Sequence, residues 1–101
     1  GAIAGLLENI VYLELRARGY TVSVGKLHSL EVDFVAERAD TRVYIQVCYL
    51  LAEPATVERE FGVLERLNDN HPKLVLSLDE VQPADRGGIQ WRNLVDFLLD
   101  R

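Results

Sequence analysis

The stretch LEVDFVAERADTRVYIQVCY, Leu30 to Tyr49, decides the fold. It reads as two β-strands joined at Ala39-Asp40. Side chains alternate faces along a strand. Glu31, Asp33, Val35 and Glu37 therefore share one face of the first strand, opposite Leu30, Val32, Phe34 and Ala36. In the second strand Arg42, Tyr44, Gln46 and Cys48 oppose Val43, Ile45, Val47 and Tyr49. A two-residue turn pairs Arg38 with Thr41. Continued in register, it pairs Glu37 with Arg42, Val35 with Tyr44, Asp33 with Gln46 and Glu31 with Cys48. The first of these is an opposite-charge match, and Ala36–Val43, Phe34–Ile45 and Val32–Val47 are apolar matches. Ala-Asp is a poor type I′ turn, and a four-residue turn would keep the same register. An odd-length loop would break the register and the Asp33–Gln46 adjacency with it.

A carboxylate facing a side-chain amide on neighbouring strands has two readings. It can hold a hard cation through oxygen ligands. It can equally be a hydrogen-bonded polar pair on a half-buried sheet face.

Upstream, Ala2 to Arg18 has helical periodicity. Ile3, Leu6, Leu7, Ile10, Leu13 and Ala17 form its predicted apolar stripe, and Gly19 its stop. Glu8 lies near the middle, off the apolar centre, with Glu14 as the rival acid. Tyr20 to Lys26 reads as a strand with Tyr20, Val22 and Val24 on one face. His28 falls in the turn that follows and reads as solvent-exposed.

Downstream, Pro54 bars continued strand pairing, and Thr56 is the predicted N-cap of a helix from Val57 to Leu67. Its stripe is Val57, Phe61, Leu64 and Leu67, and Glu58 and Glu60 favour its N-terminal end. Asp69-Asn70-His71-Pro72 is turn chemistry, with His71 structural. Lys73 to Asp79 is dense in apolar residues, as expected of an interior strand reached by a β-α-β crossover. Asp79 ends it, as a functional carboxylate or a cap. Gln82 to Gly88 is a polar loop, expected to be the most mobile segment. Ile89 to Trp91 is a short edge strand, and Asn93 caps a last helix from Leu94 to Asp100 that buries Leu94, Phe97 and Leu98.

The 101 residues make one domain, and their 49% hydrophobic content excludes disorder. No apolar run approaches the ~20 residues of a membrane span. No methionine occurs at all, so a segment of a longer protein is expected. The lone cysteine, Cys48, suits a reducing cytoplasm. A net charge of −5 argues against strong autonomous nucleic-acid binding. Arg16, Arg18 and Lys26 are the local basic groups, best read as a solvated helix end.

The EVDF and YIQV strands resemble the PD-(D/E)XK, restriction-endonuclease-like superfamily. A longer ordered set is more specific: GLLENIVYLELRARGYTVSVGK, EVDFVAE, YIQVCYLL, TVEREFGVL, DNHPKLVLSLD and NLVDFLL. In that order it resembles the C-terminal domain, of unknown function, of a group of prokaryotic AAA-type P-loop ATPases. The resemblance implies an α/β fold: a three-stranded antiparallel meander, a crossover helix and further strands, flanked by helices. It implies an N-terminal P-loop ATPase domain in the parent chain. It also implies that Glu8, Asp33 and Gln46 bind Mg²⁺ or Mn²⁺, as the helix acid, the strand aspartate and the acid-or-glutamine of active members. The activating lysine of such sites falls on Cys48, a departure, since a thiol does not replace an ammonium beside a hard metal. Lys26 and Arg59 are candidates for a relocated cation.

Three functions follow as expectations. The first is an accessory or regulatory ATPase domain with a catalytically degenerate nuclease-like centre. The second is an active divalent-metal nuclease using Asp33 and Gln46 on nucleic acid. The third is a protein-docking or homo-oligomerisation module, for which exposed Leu50, Leu51 and Val63, or a buried Asp33–Gln46 pair under Tyr44 or Trp91, would speak.

Overall fold

The computed structural model describes residues 1–81 and 86–100. Five strands and three helices follow one another as α1 (Ala2–Ala17), β1 (Thr21–Leu27), β2 (Leu30–Arg38), β3 (Thr41–Val47), α2 (Pro54–Glu65), β4 (Lys73–Ser77), β5 (Gln90–Asn93) and α3 (Leu94–Leu99). The strands form one mixed sheet in sequence order. β1, β2 and β3 are antiparallel neighbours, while β4 is parallel to β3 and β5 parallel to β4. Among the described residues no helix is long and apolar enough to cross a membrane.

Both sheet faces are covered, which explains the near-continuous apolar run of β4. On one face Leu7, Val11 and Leu15 of α1 and Leu94 and Phe97 of α3 pack on Phe34, Ala36, Ile45, Val47, Leu74 and Leu76. On the other, Phe61 and Leu64 of α2 pack on Tyr44, Cys48 and Val75. The Tyr44–Gln46–Cys48 row thus faces a second core under a helix.

The predicted hairpin register holds from Arg38–Thr41 to Phe34–Ile45. Ala39 turns the chain in the left-handed region, at φ 53°. The regular ladder then stops, so the expected Asp33–Gln46, Val32–Val47 and Glu31–Cys48 ladder pairs do not form. Val32 also leaves its predicted face: it joins Val35 in the α2-side core, while Phe34 and Ala36 point to α1. The alternation breaks at Asp33.

β1 carries a register irregularity between Ser23 and Gly25. Val22 packs toward the α1-side core, but Val24 is exposed and does not share its environment. A bulge inserts one unpaired residue and shifts the pattern by one.

Helix α1 buries a different stripe from the one predicted. Leu7, Val11 and Leu15 are covered, whereas Ile3, Leu6 and Leu13 are exposed. Helix α2 starts earlier than predicted, with Glu53 at its N-cap and Pro54 in its first turn. Proline there needs no N–H partner and has a helix-ready φ, so Pro54 opens this helix rather than merely ending a strand. Asn93 caps α3 as predicted, its Oδ1 accepting the Asp96 N–H at 3.0 Å.

Of the polar loop expected from Gln82 to Gly88, residues 82–85 lie outside the described residues. Arg86 bridges to Ile89 and pairs with Glu58 and Glu65 of α2, which ties the loop's end to that helix.

Candidate functional site

Where β2 and β3 separate, side chains replace the missing ladder bonds. Gln46 Oε1 accepts the Asp33 N–H at 2.7 Å, and the Asp33 carboxylate accepts the Val47 N–H at 2.9 Å. Gln46 is 4% exposed. A buried amide needs such partners, because leaving one unmade costs the desolvation of that group.

The separation opens a cleft of about 490 Å³, lined by Ala4 and Glu8 of α1, Glu31 and Asp33 of β2, Gln46 and Val47 of β3, Cys48, Tyr49 and Leu50 just beyond, and Thr56, Arg59, Glu60 and Val63 of α2. Helices from opposite faces of the sheet meet at this opening. Of the predicted site residues, the structure brings Glu8, Asp33, Gln46, Cys48 and Arg59 together. It leaves Lys26 outside, on the exposed β1 edge, 3.9 Å from Glu31.

Glu60 is the member that the sequence reading missed. It is 8% exposed, and its carboxylate meets Arg59 Nε at 3.3 Å. Its place beside Phe61 and Leu64, one turn from Val57, was the available signal.

Burial first, and the nearness of several carboxylates second, set the electrostatics of the cleft. Burial pushes the Asp33 carboxyl up to about 6, with Glu8, Glu60 and Glu31 adding to the rise and the Val47 N–H opposing it. Burial also raises Glu60, with Arg59 pulling the other way and Glu8 adding to the rise. Cys48 is pushed up to about 12 by burial first, then by Glu60 and Asp79. Such a thiol is neutral at physiological pH and is neither a nucleophile nor a ready ligand. Arg59 is the basic residue among the described lining, and its guanidinium lies mostly in solvent beside Glu60.

The other candidate groups have structural partners. Asp79 accepts the Leu51 N–H at 2.8 Å and the Ser77 hydroxyl, and Ser77 Oγ in turn accepts Trp91 Nε1–H at 2.8 Å. Tyr44 donates its hydroxyl to Asp69 at 2.6 Å. Neither Tyr44 nor Trp91 closes over Asp33, which faces the cleft. His28 and His71 are exposed turn residues. Leu51 and Val63 pack into the α2-side core, leaving only Leu50 of that trio exposed.

Asp33 and its acidic neighbours offer hard oxygen donors to a divalent cation. Among the described residues, however, no three His, Cys, Asp or Glu side chains converge as a ready metal-ligand set. Gln46 Oε1 already serves the Asp33 N–H. A cation held through one or two carboxylates and several waters fits this arrangement; an all-protein cage does not.

No family model matches the chain. It is 40% identical over 96 residues to an uncharacterized protein of Haemophilus influenzae, an alignment that takes in 95% of this chain and 23% of that protein. The chain thus spans about a quarter of the length of this curated relative.

Proposed function

We propose that the chain is a restriction-endonuclease-like domain of a prokaryotic AAA-type ATPase, retaining a metal-binding cleft and lacking the cation needed for cleavage. It serves the parent protein as an accessory or regulatory domain. The observation that carries this reading is the company kept by Asp33. Glu8, Gln46 and Glu60 share its cleft, while the lysine position holds the neutral thiol of Cys48.

The order α-β-β-β-α-β, with an antiparallel meander followed by a parallel strand, supports the nuclease-like fold. The much longer relative supports a multidomain parent. Asp33, with Glu8 or Glu60, would hold Mg²⁺ or Mn²⁺, which when bound polarises phosphate and water. Lys26 points away from that role through its place on the outer strand. A cytoplasmic setting belongs to the same proposal.

Arg59 favours a second reading, an active nuclease, because it reaches the cleft rim and could stabilise developing charge. One assay separates the two. The wild type, Cys48→Lys and Cys48→Lys/Asp33→Asn are incubated with single- and double-stranded DNA and RNA in Mn²⁺. The expected result is cleavage by Cys48→Lys alone. Cleavage by the wild type, abolished by Arg59→Ala, would contradict the proposal and assign the activity to the second reading.

A further inference from the structure

A second concavity, of about 300 Å³, opens at the other end of β3 from the cleft, on the face covered by α1 and α3. The two share no lining residue. Val43, Pro72 and Leu74 and the rings of Tyr20 and Phe97 give it apolar walls. Its charged lining is Arg18, Arg38 and Arg42, and no carboxylate lines it among the described residues. The chain as a whole has 16 acidic and 11 basic residues, so this site reverses the overall balance.

Two of the three arginines are answered. Arg18 Nε donates to Glu14 at 2.7 Å, its Nη2 donates to the carbonyls of Phe97 and Asp100, and the guanidinium lies over the Phe97 ring. Arg42 donates through Nε and Nη2 to Glu37. Arg38 differs, having no ion-pair partner among the described residues. Its Nη1 donates to the Arg18 carbonyl at 2.8 Å, and its guanidinium lies 4.4 Å from the centre of the Tyr20 ring. These contacts hold the group in place without neutralising it. Its Nε–H and the neighbouring Nη2–H have no acceptor among the described residues. That edge carries the parallel pair of donors that a planar carboxylate takes bidentately.

We propose that this concavity binds a small organic carboxylate with an apolar body, the carboxylate on the free edge of Arg38 and the body against Val43, Pro72 and Leu74. Apolar walls with a few placed polar groups are the common form of a small-molecule site, and about 300 Å³ is at the small end of such sites. The ligand is therefore a short aliphatic chain or a single ring. An inorganic anion would leave the apolar walls unused, and a neutral amphiphile would leave the guanidinium edge unpaired. The site needs no property of the cleft and stands whether or not the nuclease-like reading does.

Hexanoate, hexanol and acetate supply charge with body, body alone and charge alone. Each is titrated into the isotope-labelled protein while the amide resonances are followed. The expected result is a saturable shift by hexanoate at Tyr20, Thr41, Val43 and Phe97, with a Kd on the order of 1 mM, as for a ligand of so few atoms. Asp33 and Val47, in the cleft, should not move. Hexanol and acetate should bind at least about 10-fold more weakly, and Arg38→Gln should weaken hexanoate by about 10-fold, as for loss of a charge-assisted pair. Arg16→Gln, exposed on α1 and outside the lining, should bind as the wild type does. Arg38 is exposed, so its variant is expected to fold, and the amide spectrum shows whether it has; the hexanoate–hexanol comparison is made on the wild type and stands without it. Absence of a saturable shift at about 10 mM hexanoate, ten times that Kd, overturns the proposal. So does equal affinity for hexanol, full affinity in the folded Arg38→Gln variant, or a response centred on the exposed Leu6 and Leu13 of α1.

Discussion

Asp33 and Gln46 hold β2 and β3 together at the point where their ladder ends. The Gln46 side chain accepts the Asp33 N–H, and the Asp33 side chain accepts the N–H of Val47, the residue after Gln46. The same two residues floor the cleft. Structure and candidate chemistry therefore rest on one pair, and the pair can be tested for both.

Gln46→Leu fills a similar volume but leaves the Asp33 N–H without its acceptor. A buried unsatisfied donor costs about 1–3 kcal/mol. Urea unfolding should show a lower midpoint by that amount at an unchanged slope. A variant as stable as the wild type would mean that the Gln46 bond contributes nothing to holding the strands.

The pH dependence has a definite sign. Asp33 holds its proton more tightly in the folded state, up to about 6, than its ordinary value of 3.8. Between those values the folded state binds a proton that the unfolded chain has released. Its contribution is therefore most favourable below about pH 4 and is lost as pH rises through about 6. Asp33 is only half-buried, and solvent screening holds the contribution to about 2 kcal/mol. Asp69 runs the other way. Burial disfavours its charge, but bonds from Tyr44, Lys73 and the His71 N–H outweigh burial and bring it down to about 2. Its contribution is present above about pH 4 and is lost as pH falls toward 2. Asp33→Asn keeps an acceptor for the Val47 N–H and removes only the first titration. The stability difference between variant and wild type should grow in the variant's favour from pH 4 to pH 7, measured by thermal unfolding. A difference independent of pH would contradict the raised value.

Gly25 sits where β1 crosses the Val32 and Val35 side chains. A Cβ there would stand 2.7 Å from Val35 Cγ2 and 3.1 Å from Val32 Cβ. Gly25→Ala should therefore destabilise by about 1–3 kcal/mol through overpacking beside the bulge. An alanine variant with the wild-type melting temperature would show that the bulge yields without cost.

The sequence disclosed what local pairing and capping decide. The Glu37–Arg42 and Phe34–Ile45 matches fixed the hairpin register, the apolar run of Lys73 to Ser77 marked an interior strand, and Asn93 announced α3. It did not disclose choices between equivalent local patterns. Helix α1 offers two apolar stripes, and only packing on the sheet selects Leu7, Val11 and Leu15. Val24 and Val32 continue regular alternations until a bulge and the break at Asp33 reverse them. At the cleft, strand pairing brought Asp33 and Gln46 together in the sequence, while Glu8 and Cys48 entered only through the resemblance; all four line one opening. Glu60 was not legible, because the side of α2 that meets the cleft depends on where Pro54 starts the helix.

The most direct measurement is a calorimetric titration of Mn²⁺ into the wild type and Asp33→Asn at pH 7.5 and pH 5. The expected result is saturable binding with a Kd on the order of 1 mM at pH 7.5. It should weaken at pH 5, where the cation must displace the Asp33 proton, and be lost in Asp33→Asn. Absence of binding by the wild type at pH 7.5, or equal binding by Asp33→Asn, would contradict a retained metal-binding cleft.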